Sequence, residues 1–172
     1  MPRRTLTAIA VTLGLLLIIT GLFDLRADAQ TVITAEEAYE LSQSGEILLI
    51  DVRSRQEWAD TGLAQGALPI SIHEGDFLPK LERAVEGDFS TPIAFICASG
   101  GRSNQISTML ARQGLPNIYD VSEGMVGRLG AGKGWIEDAL PVVSMEQAIE
   151  AGGLEAADDQ SAEATADEDA SQ

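Results

Sequence analysis

At residues 93–103 the chain reads Ile93-Ala94-Phe95-Ile96-Cys97-Ala98-Ser99-Gly100-Gly101-Arg102-Ser103, and this stretch decides the fold. Its first four residues form a short apolar run, which is typical of a strand buried on both faces of a sheet. The paired glycines permit the backbone dihedrals of a tight turn. Because a helical pattern follows, the stretch predicts a strand, a turn and a helix in direct succession.

The flanking sequence repeats this alternation of strand and helix. Thr34 and Ser54 each begin a capping box that ends in glutamate, and Ser144 begins a similar helix-start signal. We predict strands at residues 47–50, 67–72 and 118–121 and helices at 34–44, 77–85 and up to 113, the last with Ile106, Met109 and Leu110 on one face. This alternation predicts an α/β domain with a mainly parallel central sheet flanked by helices.

Composition and charge limit the partners of the chain. Hydrophobic residues make up 45% of its 172 residues but aromatic residues only 5%, so a core of leucine, isoleucine, valine and alanine is expected. The formal net charge is −16. Nucleic acid and anionic membrane surfaces both require a basic footprint, so the chain is not expected to bind either of them.

The two ends of the chain differ from its middle. Residues 1–29 combine a basic pair, Arg3 and Arg4, with an uncharged run at 5–23 and a small-residue cleavage site that ends at Ala29. They are interpreted as a signal peptide that exports the protein to the periplasm; if uncleaved, the run at 5–23 is long enough to anchor it in the inner membrane. Residues 153–172 predict a disordered acidic tail, which leaves residues 31–152 as the folded domain.

Cys97, the only cysteine, is the candidate nucleophile. It lacks a partner for an intramolecular disulfide, and no second ligand suggests a metal site. A lone cysteine is commonly a small buried apolar residue, but parallel α/β proteins bind ligands where Cys97 lies, at the carboxyl end of a strand. The turn contains no proline, so each of its residues keeps a backbone N–H group. The N-terminus of the following helix and Arg102 add positive charge. The turn is therefore predicted to stabilise a sulfur anion.

Five segments in order resemble the rhodanese family. They are Leu48-Leu49-Ile50-Asp51-Val52-Arg53, Glu57-Trp58 with Gly66-Ala67, Cys97 to Ser103, Gly114 with Ile118-Tyr119, and Gly124 with Trp135 and Leu140-Pro141-Val142. The resemblance implies a three-layer rhodanese-like fold and a sulfurtransferase that carries sulfane sulfur as a persulfide on Cys97. A small sulfur-containing anion such as thiosulfate would be the donor, and a thiol, cyanide or a protein the acceptor.

The resemblance also implies the residues of the site. The persulfide would be bound by Ala98, Ser99, Gly100, Gly101, Arg102 and Ser103. It implies no cofactor and no metal, and we expect a monomer. One departure is the segment from Gly62 to Ala67, which lacks the histidine that the family often has there; the loop amides carry the chemistry, so its absence leaves the expectation unchanged.

Two other functions are weighed against this one. Cysteine phosphatases place five residues between cysteine and arginine, whereas four separate Cys97 from Arg102, so phosphate fits this shorter loop poorly. A sulfane-sulfur carrier or sensor that serves one protein partner without free turnover remains open, because a reactive cysteine suits both turnover and carriage.

Several other polar residues have structural interpretations. Asp51 and Arg53 are expected to form a structural ion pair near the site, and His73, the only histidine, is expected at the surface. Trp58 and Trp135 are expected to pack in the core or at its edge. Ser103 has two interpretations, a hydrogen bond to the persulfide or a helix cap.

The segment from Gly127 to Gly134 is unusually rich in glycine and predicts an extra loop near the site. Its two basic residues, Arg128 and Lys133, either attract anionic donors or are simply solvated.

Overall fold

The computed structural model describes residues 30–152, so the predicted signal peptide at 1–29 and the predicted acidic tail at 153–172 lie outside the described residues. The elements in chain order are β1 (Thr31–Ile33), α1 (Ala35–Ser44), β2 (Leu48–Asp51), α2 (Arg55–Thr61), β3 (Leu63–Ala64), β4 (Ala67–Pro69), α3 (Phe77–Ala84), β5 (Ile93–Ile96), α4 (Gly101–Arg112), β6 (Ile118–Val121), α5 (Gly134–Glu137), β7 (Val142–Val143) and α6 (Met145–Gly152). Within this range, none of the helices is long and apolar enough to cross a membrane.

Five of the strands form a parallel sheet in the order β1-β6-β5-β2-β4. One face packs against α3 and α4, and the other against α1 and α5, so the domain has three layers. β5 lies at the centre of the sheet and all four of its residues are buried. The predicted α/β fold with a mainly parallel sheet is confirmed, and β3 and β7 add a separate antiparallel pair.

Three helices begin at the capping residues that the sequence predicts. The hydroxyl of Thr34 accepts the N–H of Glu37, whose carboxylate accepts the N–H of Thr34, and Ser54 forms the same box with Glu57. Such reciprocal bonds satisfy donors that the helix itself leaves unpaired. Ser144 pairs with Gln147 in the same way, so all three predicted helix starts are confirmed.

Other elements differ from the sequence prediction. The predicted strand at 67–72 ends at Pro69, although the N–H of Ile70 still donates to the Asp51 carbonyl. Met109 was predicted on the buried face of α4 and is instead 41% exposed, because that face passes through Ser103 and Ser107. β1, the β3–β7 pair and the short α5 were not predicted.

A buried ion pair lies at the end of β2, as predicted. Asp51 and Arg53 are joined at 2.7 Å, with side chains 0% and 2% exposed. The guanidinium of Arg53 also donates to the Thr61 hydroxyl at 2.8 Å and to the Gly62 carbonyl at 2.7 Å. Arg53 therefore ties the end of β2 to the end of α2.

Replacing Arg53 with methionine is expected to reduce the free energy of unfolding by about 3–5 kcal/mol, because Asp51 is then left buried without its partner. Arg55→Met is the matched control, since Arg55 is 61% exposed and pairs with Glu74 at the surface. Surface pairs contribute about 0–1 kcal/mol. Urea unfolding of both variants measures the two losses, and equal small losses would contradict a stabilising role for Arg53.

Candidate active site

The turn from Cys97 to Ser103 lies at the carboxyl end of β5, in the middle of the sheet. The side chain of Cys97 is 1% exposed and packs in the core below α3 and α4. Ala98, Ser99 and Arg102 are partly exposed. The sulfur therefore lies at the base of a turn in which the side chains of Ala98, Ser99 and Arg102 reach solvent.

Two close backbone approaches require glycine in and beside the turn. Gly100 has φ 81°, and a Cβ there would collide with the carbonyl oxygen of Ser122. Gly124 has φ 65°, and a Cβ there would lie 2.6 Å from the carbonyl oxygen of Ala98. Any larger residue at either position would push the turn away from the segment that follows β6.

That segment also holds the turn by hydrogen bonds. The N–H of Met125 donates to the Cys97 carbonyl and the N–H of Val126 to the Ala98 carbonyl, each at 2.9 Å. At the other side of the turn, the Gly100 carbonyl accepts the N–H of Asn104 at 3.2 Å. Hydrogen bonds thus occupy three carbonyls of the turn, those of Cys97, Ala98 and Gly100.

The backbone N–H groups of the turn beyond Cys97, unlike those three carbonyls, have no acceptor in the described part of the protein. Across residues 30–152, no protein oxygen accepts a hydrogen bond from any N–H of the six residues from 98 to 103. Consecutive N–H groups in such a turn form an anion-binding concavity, and the last of them belong to the first turn of α4, whose dipole also favours an anion. The arrangement suits a negative atom bound at Cys97.

Ser103 is not the helix cap that the sequence suggested as one of its two roles. α4 begins at Gly101 with Gly100 as its N-cap, so Ser103 is the third residue of the helix. Its side chain is fully buried, and its Oγ lies 3.5 Å from the sulfur of Cys97. The hydroxyl is therefore placed to bond a sulfur atom.

Arg102 lies at the turn but is already paired. Its guanidinium donates to both carboxylate oxygens of Glu57, at 2.8 Å for Oε2, and its Nη1 lies 3.2 Å from Nε2 of His73. Glu57, and to a smaller extent Cys97, raise the pKa of Arg102. His73 is exposed as predicted, but its contact with Arg102 was not expected from the sequence.

Glu57 serves two elements at once. The same carboxylate accepts from the N–H and hydroxyl of Ser54 in the capping box of α2 and from Arg102 at the start of α4. The hydrogen bond from Arg102 is the main cause that lowers the pKa of Glu57 from 4.5 to about 2. Glu57 thus offsets the charge of Arg102 and fixes the position of its guanidinium.

A buried carboxyl group lies beside the turn as well. Asp120 in β6 is 1% exposed; its Oδ2 accepts from Nδ2 of Asn104 at 3.3 Å, and its Oδ1 has no hydrogen-bond partner among the described residues. Burial raises the pKa of Asp120, while the Ser103 and Asn104 side chains and the charge of Arg128 act in the opposite direction. Asn104, the residue after Ser103 in α4, therefore holds Asp120 beside the start of that helix.

The glycine-rich segment, residues 127–134, leads away from the turn as a small hairpin. Arg128 and Gly132 pair across it, and Leu129 at its tip is fully exposed. Gly132 packs so closely on the side chain of Glu123 that a Cβ would collide with it, and Glu123 accepts the N–H of Ala35 at 2.7 Å. The segment is a loop, as predicted, and the bonds of Met125 and Val126 place its beginning beside the turn.

The remaining predicted residues fall into two groups. Asp51 and Arg53 bond each other and α2 rather than Cys97, and Trp58 and Trp135 are core residues at 3% and 0% exposure. Glu57 and Asp120 were missed as parts of the site. Glu57 appeared in the sequence as a helix cap and within the segment Glu57-Trp58, without a role in the site. Asp120 carried a usable signal, because it is a single acidic residue within an otherwise uncharged strand.

Comparisons with known proteins point to one family. Residues 34–129 match the family model of the Rhodanese-like domain. A protein called thiosulfate sulfurtransferase GlpE from Actinobacillus succinogenes is 31% identical over 115 residues, which cover 66% of this chain and 91% of that protein. Another of the same name from Glaesserella parasuis is 28% identical over 113 residues, 65% of this chain and 92% of that protein.

Solved structures agree on the fold. The crystal structure of Rv0390 from M. tuberculosis aligns with a TM-score of 0.50 and 26% identity over 64% of this chain and 95% of that chain. The solution structure of the Rhodanese-like domain of the Anabaena protein Alr3790 aligns with a TM-score of 0.50 and 21% identity over 68% of this chain and 80% of that chain, a likeness of fold alone.

The ion pair of Glu57 and Arg102 is expected to make stability depend on pH. Because the pKa of Glu57 falls from 4.5 to about 2 on folding, its contribution is present above pH 4.5 and is lost as the pH falls toward 2. Glu57→Gln keeps the capping geometry and is expected to lose about 1–2 kcal/mol at neutral pH, an amount reduced for solvent screening. The loss is expected to vanish near pH 2.

Glu37→Gln is the matched control, since it makes the same change in the capping box of α1, which does not hold Arg102. Urea unfolding of the two variants and the native protein at a series of pH values measures the effect. A loss in Glu57→Gln that stays constant with pH, or equals that of Glu37→Gln at every pH, would contradict it.

Proposed function

The chain belongs to the rhodanese-like domain family, and we propose that it is a sulfurtransferase in which Cys97 carries sulfane sulfur as a persulfide. Similar proteins bear the name thiosulfate sulfurtransferase, which supports thiosulfate as the first donor to test. The observation that carries the proposal is the set of six consecutive N–H groups, from residue 98 to 103, that no protein oxygen uses within the described range.

Those groups favour a sulfur anion that extends beyond Cys97. Hydrogen bonds already occupy the carbonyls of Cys97, Ala98 and Gly100, whereas the N–H groups of residues 98–103 have no protein acceptor within the described residues. Donors fixed before the reaction stabilise a developing charge without reorganisation, and removing one typically costs about 3 kcal/mol of transition-state stabilisation. The buried Ser103 hydroxyl, 3.5 Å from Sγ, adds a side-chain donor.

The chemistry proceeds in two displacements. In the first, the Cys97 thiolate attacks the outer sulfur of thiosulfate; the new S–S bond forms as the bond to the sulfonate sulfur breaks, and its electron pair leaves with sulfite. In the second, a thiolate or cyanide attacks the terminal sulfur and the electron pair of the S–S bond returns to Cys97. Each step conserves charge and needs no metal or organic cofactor.

Arg102 and the glycine-rich segment would attract the anionic donor. Arg102 interacts with Cys97, and Glu57 holds it in place. Arg128 and Lys133 place two positive charges within this segment, although the net charge of the whole chain is −16. A local basic site in an acidic protein raises the concentration of small anions only near that site.

A carrier that serves one protein partner is the second candidate. A turn that holds a persulfide at Cys97 would serve carriage as well as turnover, since both need the same cysteine to hold a sulfur atom. A carrier loads one sulfur atom and releases it only to its partner, whereas an enzyme turns over with cyanide or a small thiol. The rate of thiocyanate formation from thiosulfate and cyanide separates the two.

We expect thiosulfate to add one sulfur atom to the protein and cyanide to remove it. Intact mass spectrometry before and after each addition measures both steps. Cys97 is the only cysteine, so Cys97→Ser is expected to show no gain and to keep the native fold by circular dichroism. A mass gain that persists in Cys97→Ser would exclude Cys97 as the carrier. No gain in the native protein would exclude thiosulfate as the donor.

Arg102→Ala is expected to raise the KM for thiosulfate about tenfold, the equivalent of one charge-assisted hydrogen bond of about 1.5 kcal/mol. Arg112→Ala is the matched control, because Arg112 lies in the last turn of the same helix. Steady-state kinetics at constant ionic strength measure both. An equal KM in the two variants would remove Arg102 from donor binding.

A further inference from the structure

His73 lies at the same edge of the sheet as Cys97. The N–H of Ile72 donates to the Val52 carbonyl at 3.3 Å, and the N–H of Val52 donates to the Ile96 carbonyl at 2.9 Å. These bonds extend the parallel pairing of β4, β2 and β5 to the carboxyl ends of the strands. His73 and Cys97 come directly after the bonded positions, at the edge where parallel α/β proteins bind ligands.

The imidazole of His73 is exposed, yet contacts on both sides fix its position. Its backbone N–H donates to the hydroxyl of Ser71 at 3.2 Å, and Ser71 is buried. Its ring nitrogen Nε2 lies 3.2 Å from Nη1 of Arg102 in the first turn of α4. Two side chains that can both carry positive charge therefore meet at the rim of the turn that holds Cys97.

Arg102 by itself offers little net positive charge to a sulfur donor. Its guanidinium donates to both oxygens of the Glu57 carboxylate, and the pKa of Glu57, lowered to about 2, keeps that carboxylate ionised at neutral pH. The pair of Arg102 and Glu57 is thus neutral as a whole. Thiosulfate carries two negative charges and would meet the carboxylate as well as the guanidinium. A second cation would offset this repulsion, and His73 is in contact with Arg102.

The contact between His73 and Arg102 depends on the protonation of the imidazole. Nε2 of a neutral ring can accept the proton of Nη1, but a doubly protonated ring has no acceptor. Two cationic donors then face each other at the same short distance, which is unfavourable unless an acceptor lies between them. An oxygen of a sulfonate group is such an acceptor, and its hydrogen bonds to two cations are charge-assisted. Histidine is the side chain whose charge changes between about pH 5 and 8.

We propose that protonated His73 and Arg102 together bind the anionic group of a doubly charged sulfur donor, so that His73 makes the site selective for dianions. The inference rests on the proposed function for its role. It adds a residue of the segment between β4 and α3 to the donor-binding surface beside Cys97. Donor binding and protonation of His73 are then coupled, and each strengthens the other.

The other charged groups around His73 do not replace Arg102 in this role. Glu57 acts on the imidazole through Arg102, which it holds in place. Glu74 follows His73 in the chain and lies in an ion-pair network with Arg55, Lys80 and Asp76. The carboxylate of Glu74 is therefore already bonded to two other cations.

The test follows the NMR signal of the imidazole, which is unambiguous because His73 is the only histidine. The Cys97→Ser protein can bind thiosulfate but cannot take its sulfur. Its His73 signal is titrated with pH in saturating thiosulfate and in sodium chloride of equal ionic strength. Thiosulfate is expected to raise the titration midpoint by about one pH unit relative to chloride, which corresponds to about tenfold tighter binding to the protonated form.

Arg102→Ala, made in the Cys97→Ser protein, is expected to show a much smaller shift, because one of the two cations is missing. Circular dichroism and melting temperature report the folding of each variant, and Arg102→Gln replaces Arg102→Ala if the latter does not fold. No difference between thiosulfate and chloride, or an equal difference with and without Arg102, would overturn the shared site.

Steady-state kinetics with Cys97 intact give a second readout. The KM for thiosulfate is expected to rise about tenfold as the pH increases from about 6 to 8 and His73 loses its proton. His73→Gln keeps an acceptor for Arg102 but no charge, so its KM is expected to be high and nearly constant with pH. His73→Lys keeps a positive charge throughout, so its KM is expected to be low and nearly constant.

Benzenethiosulfonate, a donor with a single negative charge, tests the selectivity. Its KM is expected to change little in His73→Gln, and an equal loss of affinity for both donors would overturn the selectivity. The NMR titration does not involve sulfur transfer. A protein that shows the shift but never loads sulfur therefore contradicts the proposed function alone, and one that loads sulfur from thiosulfate without the shift contradicts this inference alone.

Discussion

The separation of backbone donors from backbone acceptors in the turn at Cys97 is the constraint on which the rest of the site depends. The carbonyls of Cys97 and Ala98 are bonded to the segment after β6, and that of Gly100 to α4. With these three carbonyls occupied, the N–H groups of residues 98–103 have no protein acceptor among the described residues and are available to an anion. Substituting Gly100 or Gly124 removes the close approach that makes this possible.

Charge in the site is balanced locally rather than by the protein as a whole. Glu57 offsets Arg102, and the partial charges of the turn and of the first turn of α4 remain for the sulfur. Asp120 is a buried acidic residue beside the turn, and the charge balance between Glu57 and Arg102 does not require it. A site built from peptide dipoles holds an anion even within a chain of net charge −16, because dipoles act over short distances while distant charges are screened.

The sequence was most informative where the determinants are local. Capping boxes and short apolar runs located α1, β5 and β6 correctly, because a few adjacent residues determine those elements. β1 and the β3–β7 pair were not predicted, because strands of two or three residues are determined by partners distant in the chain. Met109 was misplaced because Ser103 and Ser107, which are polar, occupy the buried face of α4.

The order of the strands also governs how the chain reaches this structure. Thr31 at the start of the domain pairs with Tyr119 in β6, and the central strand β5 pairs with β2 although four elements lie between them in the chain. Parallel pairings between distant residues must overcome the entropy of closing long loops, so they form slowly. The bonds from Met125 and Val126 that hold the turn at Cys97 require the segment after β6 to lie beside β5. The geometry around the sulfur therefore depends on contacts between segments that are distant in the chain.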